Sequence, residues 1–214
     1  AHTAYFAGDL KLTENELDIV ESINPQWETA ALFRGFIMAK DWPEKALEFY
    51  KSFLNKNPKS NEVRLEYAKT LTSLKRYVEA KKEFLKLVDG SLASPEISLT
   101  VALLSLELND NLLAEKFFNQ SLERGYSQRD KIQIYLARIY NKRGDYKKAL
   151  STLDKIVSGE LFVDAKLLAT EIIAQNESTD KAIESLSIYK NIGPSDKLRF
   201  LQAKTSLLIN NGRQ

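Results

Sequence analysis

The side chains in this sequence that could carry acid–base or metal chemistry are few, and their spacing matches no catalytic site. His2 is the only histidine, and no residue near it is placed to orient its ring, which argues against a Ser-His-Asp triad and histidine-based metal sites. Glu14 with Glu16, and Glu21 with Glu28, are paired carboxylates, but they lie in polar stretches typical of solvated helix surfaces. The motifs G-x-x-x-x-G-K-[ST] and H-E-x-x-H are absent. We therefore predict a protein that is not an enzyme and has no cofactor and no metal.

Charge and cysteine content narrow the classes of partner. The chain has 31 Lys and Arg residues against 29 Asp and Glu residues, a net charge of +2, and the two signs are interleaved. This balance lacks the basic surface typical of proteins that bind nucleic acid or anionic membranes. The longest mainly apolar stretch, residues 97–108, is too short to span a bilayer. We predict a protein or peptide partner, no nucleic acid and no direct membrane insertion.

The elements that position these side chains are predicted to be helices. Hydrophobic residues make up 43% of the chain and charged residues 28%, as in folded soluble proteins. Only 8 Gly and 5 Pro leave little material for the many turns of a β-sandwich, whereas Leu, Lys, Glu and Ala favour helices. The composition therefore predicts an all-α fold.

Small residues recur at a fixed period along the chain. Alanines stand at intervals of 34, 34, 35 and 33 residues, namely Ala46, Ala80, Ala114, Ala149 and Ala182. A large apolar side chain follows each of them one helical turn later, namely Tyr50, Phe84, Phe118, Leu153 and Leu186. A small residue lets a neighbouring helix approach while the large one fills the groove beside it. The spacing therefore predicts repeated pairs of packed helices.

The preceding helix of each pair offers a second small residue. It stands twelve residues before the alanine in four cases, as Ala68, Ala102, Ala137 and Thr170, and in the first case Gly35 stands eleven residues before Ala46. Between the two helices of one pair lies Gly144-Asp145-Tyr146. There Gly144 is predicted to relieve the backbone where the first helix ends, and Asp145 to cap the second.

This pattern resembles the tetratricopeptide repeat, a 34-residue helix-turn-helix unit that reads W-x2-L-G-x2-Y, then A-x3-F, then P. The best match is IYLARIYNKRGDYKKALSTL, residues 134–153. The resemblance implies a right-handed α-solenoid of antiparallel helix pairs, helix A then helix B, with about five repeats plus flanking helices. Two repeats depart from the pattern: Ser105 replaces a large residue, and residues 177–179, Glu-Ser-Thr, replace the Gly-Asp-Tyr turn.

The repeat register predicts the organisation of the whole chain as one continuous solenoid domain. The predicted segments are a terminal segment with a capping or degenerate repeat helix at 1–26, repeats at 27–60, 61–94, 95–129, 130–162 and 163–195, and helix A of a truncated sixth repeat at 196–214. Within the first segment, Thr13 and Glu16 have capping-box spacing. In the last, 196–209 reads as helix and NNGRQ as the turn to a helix B that would follow.

The missing helix B predicts a chain cut from a longer protein, with a natural carboxy-terminal cap as the alternative. The degenerate repeats resemble the middle section of larger bacterial envelope proteins of this repeat family. That resemblance favours the bacterial periplasm or cell envelope as the location, with the cytoplasm as the alternative, because the absence of cysteine fits both.

In this family the A helices line a concave groove, and the resemblance assigns the fifth and ninth positions of each repeat to it. The residues carried over are Leu65 and Lys69, Leu99 and Leu103, Ile134 and Arg138, and Leu167 and Glu171, with Asn141 as a backbone hydrogen-bonding residue. Lys69 and Arg138 are expected to pair with acidic side chains of the partner. The alternative is that the fifth position packs between neighbouring A helices. Leu65, Leu99 and Ile134 occupy the lysine-type positions of family members that clamp an acidic carboxy terminus, which argues against such a clamp.

Two functional hypotheses follow. The first is a non-catalytic scaffold that binds a peptide or protein segment in the concave groove. The second is a structural repeat section that packs against other domains of a larger chain or self-associates through exposed solenoid ends, in bacterial envelope assembly.

Overall fold

The computed structural model of the protein describes residues 1–189 and 193–210, and in that part of the chain every regular element is a helix. The helices are α1 (His2–Phe6), α2 (Leu10–Ile23), α3 (Glu28–Asp41), α4 (Pro43–Lys56), α5 (Asn61–Ser73), α6 (Tyr77–Leu85), α7 (Pro95–Glu107), α8 (Asn111–Glu123), α9 (Arg129–Lys142), α10 (Tyr146–Leu153), α11 (Phe162–Asn176), α12 (Thr179–Ser187) and α13 (Pro194–Asn210). Successive helices pair antiparallel, and the predicted all-α class of paired helices is confirmed.

The helices divide between two compact units. The N-terminal unit, Ala1–Arg124, holds α1 to α8, and the C-terminal unit, which begins at Gly125, holds α9 to α13. In the N-terminal unit the pairs are α1 with α2, α3 with α4, α5 with α6, and α7 with α8; in the C-terminal unit they are α9 with α10 and α11 with α12. The repeat boundaries and the single continuous domain stay predictions.

The periodic small residues form the contacts between paired helices, as predicted. All five anchor alanines, Ala46 to Ala182, have no exposed surface, and neither do Ala68, Ala102 and Ala137. The large residues one turn later are also buried, with Tyr50 and Phe118 at 1% and 0% exposure. A methyl group at the crossing allows close approach, and the neighbouring large side chain fills the remaining space. This alternation explains the period of the sequence.

The turns between paired helices follow one geometry in three repeats. Gly144 has φ +84°, and the Asp145 side chain accepts a hydrogen bond from the Lys148 backbone N–H at 3.2 Å. Both roles were predicted for the Gly-Asp-Tyr turn and are confirmed. The corresponding residues of the two preceding repeats, Lys75 and Asn109, have φ 59° and 56°. These two turns therefore adopt a left-handed backbone without glycine.

The two departures from the repeat pattern have local solutions. Ser105 is fully buried, and its hydroxyl donates to the Val101 carbonyl at 2.7 Å, so the chain needs no large side chain there. In the last complete pair, Ser178 caps α12 by accepting a hydrogen bond from the Lys181 backbone N–H at 3.2 Å. Glu177 has φ −123°, so this turn forms without a left-handed residue.

The first long helix begins earlier than the capping-box spacing predicts. Asp9 is the cap of α2, and its carboxylate accepts a hydrogen bond from the Leu12 backbone N–H at 2.9 Å. Thr13 lies inside the helix, buried, with its hydroxyl donating to the Asp9 carbonyl at 2.7 Å. The prediction of a cap at Thr13 was wrong because an aspartate four residues earlier provides the stronger start signal.

The last helix runs from Pro194 to Asn210, and the predicted helix over 196–209 is confirmed. Pro194 is its first residue, where proline is favoured because the missing N–H has no intrahelical partner. Asn210, where the predicted turn NNGRQ begins, is the last residue of this helix, and the rest of that turn, residues 211–214, lies outside the described part of the chain.

Candidate functional site

Helices α9 and α11 line a groove in the C-terminal unit, with a cavity volume of about 380 Å³. We call it the charged groove. From α9 it is lined by Lys131, Ile134, Tyr135 and Arg138, and from α11 by Asp164, Leu167, Leu168 and Glu171. Each set has the spacing i, i+3, i+4, i+7, which places its members on one helix face. The groove therefore has apolar side chains in its middle and a charged residue at each end of both helix faces.

The charges of this groove are only partly neutralised inside it. Arg199 of α13 lines the groove and forms an ion pair with Asp164. Lys131 and Arg138 are exposed and take part in no ion pair with any residue of the described chain. Two cations on α9 therefore remain available to an acidic ligand, opposite the exposed carboxylate of Glu171.

Four of the nine predicted site residues, Ile134, Arg138, Leu167 and Glu171, come together in the charged groove. Ile134 and Leu167 are half-buried, and Leu167 also packs against the buried cluster that contains Phe200 of α13. The fifth position of the repeat thus contributes to helix packing and to the groove at the same time.

Asn141, at the end of α9, has a role that the sequence reasoning missed. Its amide N–H₂ donates to the Gln175 side chain at 3.3 Å, and its amide oxygen accepts from the Asn176 side chain at 3.2 Å. The amide N–H₂ and the amide oxygen of Asn141 therefore both link α9 to α11. A ligand that hydrogen-bonds to Asn141 would have to displace these contacts.

The remaining predicted residues belong to the N-terminal unit. Leu65 on α5 and Leu99 and Leu103 on α7 are half-buried. Lys69 is exposed, and its ammonium group donates to Glu66 at 2.7 Å, one turn earlier on the same helix. Its charge is therefore balanced locally, unlike the charge of Arg138.

The N-terminal unit contains a larger groove that sequence reasoning did not identify. Its cavity volume is about 690 Å³, and we call it the aromatic groove. Its lining includes His2, Leu17, Val20, Trp27, Thr29, Leu32, Phe33, Phe36 and Glu66. Trp27 and Phe36 are 48% and 57% exposed, so large aromatic surfaces face the solvent here.

Aromatic contacts connect α1 to α3 beside this groove. The ring of Tyr5 meets Phe33 and Phe36 edge-on, at centroid distances of 5.7 and 6.2 Å. The His2 ring lies 5.1 Å from that of Phe33. The edge-to-face arrangement of Tyr5 with Phe33 and Phe36 is a favoured geometry for aromatic pairs. These ring contacts hold Phe33 against α1, while Phe36 stays more than half exposed.

The aromatic and charged grooves are built from corresponding helix positions. Gly35 and Ala137 are the small residues of their respective A helices, and aligning them brings the two grooves into register. The aligned residues, in order, are then Thr29, Leu32, Phe33 and Phe36 in the aromatic groove and Lys131, Ile134, Tyr135 and Arg138 in the charged groove. The sequence signal for the aromatic groove is the position of Gly35, which stands eleven and not twelve residues before its alanine. If this one-residue offset is ignored, the fifth and ninth positions of the first repeat fall on Ala31 and Gly35, which are both buried.

Gly35 supports the aromatic groove from behind. A β-carbon at this position would lie 2.1 to 2.4 Å from the ring and hydroxyl of Tyr50 on α4, so only glycine fits. Burial of Tyr50, together with the nearby charge of Glu66, raises the pKa of its phenol above the ordinary value. In the first helix pair, glycine therefore replaces the usual alanine, and the tyrosine ring packs directly against its backbone.

None of the helices in the described part of the chain combines the length and the apolar character that a bilayer span needs. Residues 1–189 and 193–210 also contain no group of three or more acidic or histidine side chains arranged to hold a metal ion.

Comparison with known proteins identifies the fold. No protein-family model matches the sequence, and no curated protein matches it. Among solved structures, YrrB, described as a tetratricopeptide-repeat protein with an unusual peptide-binding site, matches with a TM-score of 0.68 and 19% identity, over 88% of this chain and 97% of that chain. PilW, a type IV pilus biogenesis factor, matches with a TM-score of 0.51 and 22% identity, over 92% and 93% of the two chains.

A third match is to a chain of the Naa15/Naa10 complex bound to HypK-THB, with a TM-score of 0.70 and 19% identity. It covers 99% of this chain, which spans about a third, 33%, of that chain. At these identities the likeness shows the fold alone, and the fold is that of tetratricopeptide-repeat proteins, as predicted from the sequence.

Proposed function

We propose that this protein is a non-catalytic scaffold that binds a peptide or protein segment on the faces of its A helices, with the charged groove as the main site. The observation that carries the proposal is a pair of cations, Lys131 and Arg138, on either side of the half-buried Ile134 in an open groove, neither of which has an ion-pair partner within residues 1–189 and 193–210. YrrB, which has the same fold, is described as having a peptide-binding site, and this agrees with a binding role for the fold.

The spacing of the two cations suggests the chemistry of the ligand. Lys131 and Arg138 are seven residues apart on α9, which is about 10.5 Å along the helix axis. A peptide in the polyproline II conformation advances about 3.1 Å per residue with three residues per turn, so acidic residues three positions apart lie on one face, about 9.3 Å from each other, close to that distance. Between them, apolar ligand side chains would contact Ile134, Leu167 and Leu168. The groove thus fits a segment of the form acidic-apolar-apolar-acidic.

The two cations of α9 select against basic ligands on their side of the groove, whereas the opposite wall is acidic. Glu171 on α11 carries a negative charge, and Asp164 is already paired with Arg199. A ligand with lysines in place of the two acidic residues would face Lys131 and Arg138 directly. Exposed ion pairs are each worth about 0.2 to 1 kcal/mol, so two of them change affinity by about fivefold.

An NMR titration tests this proposal. The ¹⁵N-labelled chain is titrated with the capped hexapeptide Gly-Glu-Leu-Leu-Glu-Gly and with its counterpart in which both glutamates are lysines. We expect shifts on α9 and α11, and about fivefold tighter binding of the acidic peptide. Arg138→Glu and Lys131→Glu should each remove that preference. The control Lys147→Glu makes the same charge change at an exposed position of the B helix α10 and should not alter binding.

The proposal fails if neither peptide shifts α9 or α11 resonances at millimolar concentration. It also fails if Arg138→Glu binds the acidic peptide as tightly as the original chain. Circular dichroism of each variant confirms that an observed loss does not come from unfolding.

Exposed leucines on α13 favour the second candidate function, self-association or packing against another domain. Leu198, Leu201 and Ile209 are each more than half exposed and recur at helical spacing on one face. We expect Leu198→Glu with Leu201→Glu to abolish any concentration-dependent oligomer detected by light scattering. A chain that is monomeric at all concentrations would remove support for self-association through this face.

A further inference from the structure

We propose that the aromatic groove of the N-terminal unit is a second docking surface, which binds a protein segment that presents a bulky apolar side chain beside a lysine or arginine. This inference goes beyond the proposed function, because it involves different residues and the opposite ligand charge. It rests on the shape and chemistry of the N-terminal unit alone.

The apolar part of the inference comes from the size and exposure of the groove. Its cavity of about 690 Å³ is large enough for at least one bulky side chain. Trp27 and Phe36 present about half of their surface to solvent, and the half-buried Phe33 lines the cavity while its ring contacts His2 and Tyr5 of α1. Clustered exposed aromatic side chains mark interaction surfaces, and aromatic residues supply much of the binding energy at interfaces.

The basic part of the inference comes from the charge of the surrounding A-helix face. Helices α3, α5 and α7 together have twelve positions on this face, four on each helix. They are the positions that correspond to Lys131, Ile134, Tyr135 and Arg138, and the structure describes all twelve. They carry three acidic residues, Glu62, Glu66 and Glu96, and a single cation, Lys69. The net charge of these twelve positions is therefore −2. Charge complementarity favours a partner with basic side chains next to its apolar anchor.

Glu66 connects the two parts, because it lines the aromatic groove itself. Its present partner is Lys69, in an exposed pair with 55% and 40% of the two side chains accessible. Such pairs contribute little, about 0 to 1 kcal/mol, so a ligand cation can take the place of Lys69. A lysine or arginine beside an aromatic wall also gains from contact with the ring faces of residues such as Phe36.

The sequence provides a probe of groove occupancy. The chain contains two tryptophans, Trp27 in the aromatic groove and Trp42 outside it, at the turn between α3 and α4. In a Trp42→Phe chain, Trp27 is the sole tryptophan, and its emission reports on this groove. The ligands are the capped hexapeptide Ser-Lys-Leu-Phe-Lys-Ser and its counterpart with both lysines replaced by glutamates; neither contains tryptophan.

We expect the lysine peptide to shift Trp27 emission and to bind at least about fivefold more tightly than the glutamate peptide. Phe36→Ala should weaken binding of the lysine peptide at least about tenfold, and Glu66→Gln should remove most of the preference for lysine. The matched control is Leu112→Ala on α8, which also truncates an exposed apolar residue of this unit and should leave binding unchanged. Arg138→Glu, in the charged groove, should have no effect.

Four results would overturn the inference. They are an emission that neither peptide changes at millimolar concentration, equal affinity for the two peptides, an unaltered affinity in Phe36→Ala, or an emission shift with protein concentration alone. The last result would assign the groove to a second copy of the chain. Because the charged groove is tested with other peptides and other variants, failure there and failure here are distinguishable.

Discussion

The aromatic groove and the charged groove occupy corresponding helix positions but differ in charge at both ends of the A-helix face. Phe36 in the first stands where Arg138 stands in the second, and Thr29 stands where Lys131 does. The two middle positions are similar in the two grooves, with Leu32 and Phe33 in one and Ile134 and Tyr135 in the other. The comparison shows that the repeat frame fixes where a groove lies, whereas residues outside the helix crossing decide what it can bind.

The physical reason is the different burial of the two kinds of position. The crossing residues are fully buried, so a change in their volume is felt throughout the helix pair. The groove positions are half-buried or exposed, so they tolerate aromatic, basic or acidic side chains at little cost to folding. Two surfaces of opposite preference can therefore arise within one repeat pattern.

The largest expected effect comes from Gly35→Ala, which makes the first crossing like the others. The added methyl group would lie 2.1 Å from the Tyr50 ring, and because Tyr50 is buried, α3 and α4 would have to move apart. Overpacking of this kind costs about 1 to 3 kcal/mol, and we expect the upper end. Both tryptophans belong to the N-terminal unit, so urea unfolding followed by their fluorescence measures its stability.

Gly35→Ala combined with Tyr50→Leu is the control for this prediction. The smaller leucine resembles Leu153 and Leu186 at the corresponding positions and should recover part of the loss. If Gly35→Ala alone changed the unfolding free energy by less than about 0.5 kcal/mol, the close contact with Tyr50 would not be a constraint on the aromatic groove.

Much of the frame that holds the two grooves could be predicted from sequence because it depends on local spacing. Anchors such as Ala149 recur at a nearly constant interval, and each is followed by a large residue one turn later. The turn at Gly144 and Asp145 could be predicted for the same reason, since a left-handed glycine and a capping aspartate are properties of adjacent residues. Arg138 in its groove followed from the same register.

The aromatic groove could not be predicted in this way, because it depends on contacts that the period does not contain. His2 and Tyr5 pack on α3 from a short helix that precedes the first predicted repeat. The shift of Gly35 by one residue also changes which side chains of α3 face the groove. By contrast, the contact of Asn141 with Gln175 and Asn176 spans 34 and 35 residues, so a search for polar residues at the repeat period would have found it.

A pH titration distinguishes the first helix pair further. Burial, with the charge of Glu66, raises the pKa of Tyr50 in the folded chain, whereas in the unfolded chain it ionises near pH 10. Its stabilising contribution is therefore complete below about pH 10 and is lost as the pH rises from there toward the folded-state pKa. We expect the unfolding free energy of the N-terminal unit to fall by up to about 1.4 kcal/mol per pH unit above 10.

The measurement is urea unfolding at a series of alkaline pH values, in the original chain and in Tyr50→Phe. The phenylalanine variant has no phenol to ionise at this position, so its decline should be shallower. Parallel declines in the two chains would show that Tyr50 does not contribute to the alkaline instability.

Salt should affect the two grooves unequally. Raising the ionic strength from about 0.1 M to about 1 M shortens the screening length from about 10 Å to about 3 Å. The acidic peptide relies on exposed Lys131 and Arg138, so its affinity for the charged groove should fall by about fivefold, or about 1 kcal/mol. The lysine peptide combines its attraction to Glu66 with aromatic contacts that salt does not screen, so it should lose less, about twofold. Equal losses would mean that the grooves do not differ in mechanism.

The smallest expected effect concerns the turns within helix pairs, where the first helix of a pair is followed by the second. The left-handed position is Lys75 and Asn109 in the N-terminal unit and Gly144 in the C-terminal unit. A side chain with a β-carbon is strained at φ 59°, whereas glycine is not, although glycine makes the unfolded chain more flexible and offsets part of the gain. We expect Lys75→Gly to stabilise the N-terminal unit by about 0.5 kcal/mol in urea unfolding followed by tryptophan fluorescence. Lys75→Ala removes the same lysine but keeps the β-carbon, so it should give no gain; a gain of equal size there would trace the effect to the lysine charge and not to the backbone.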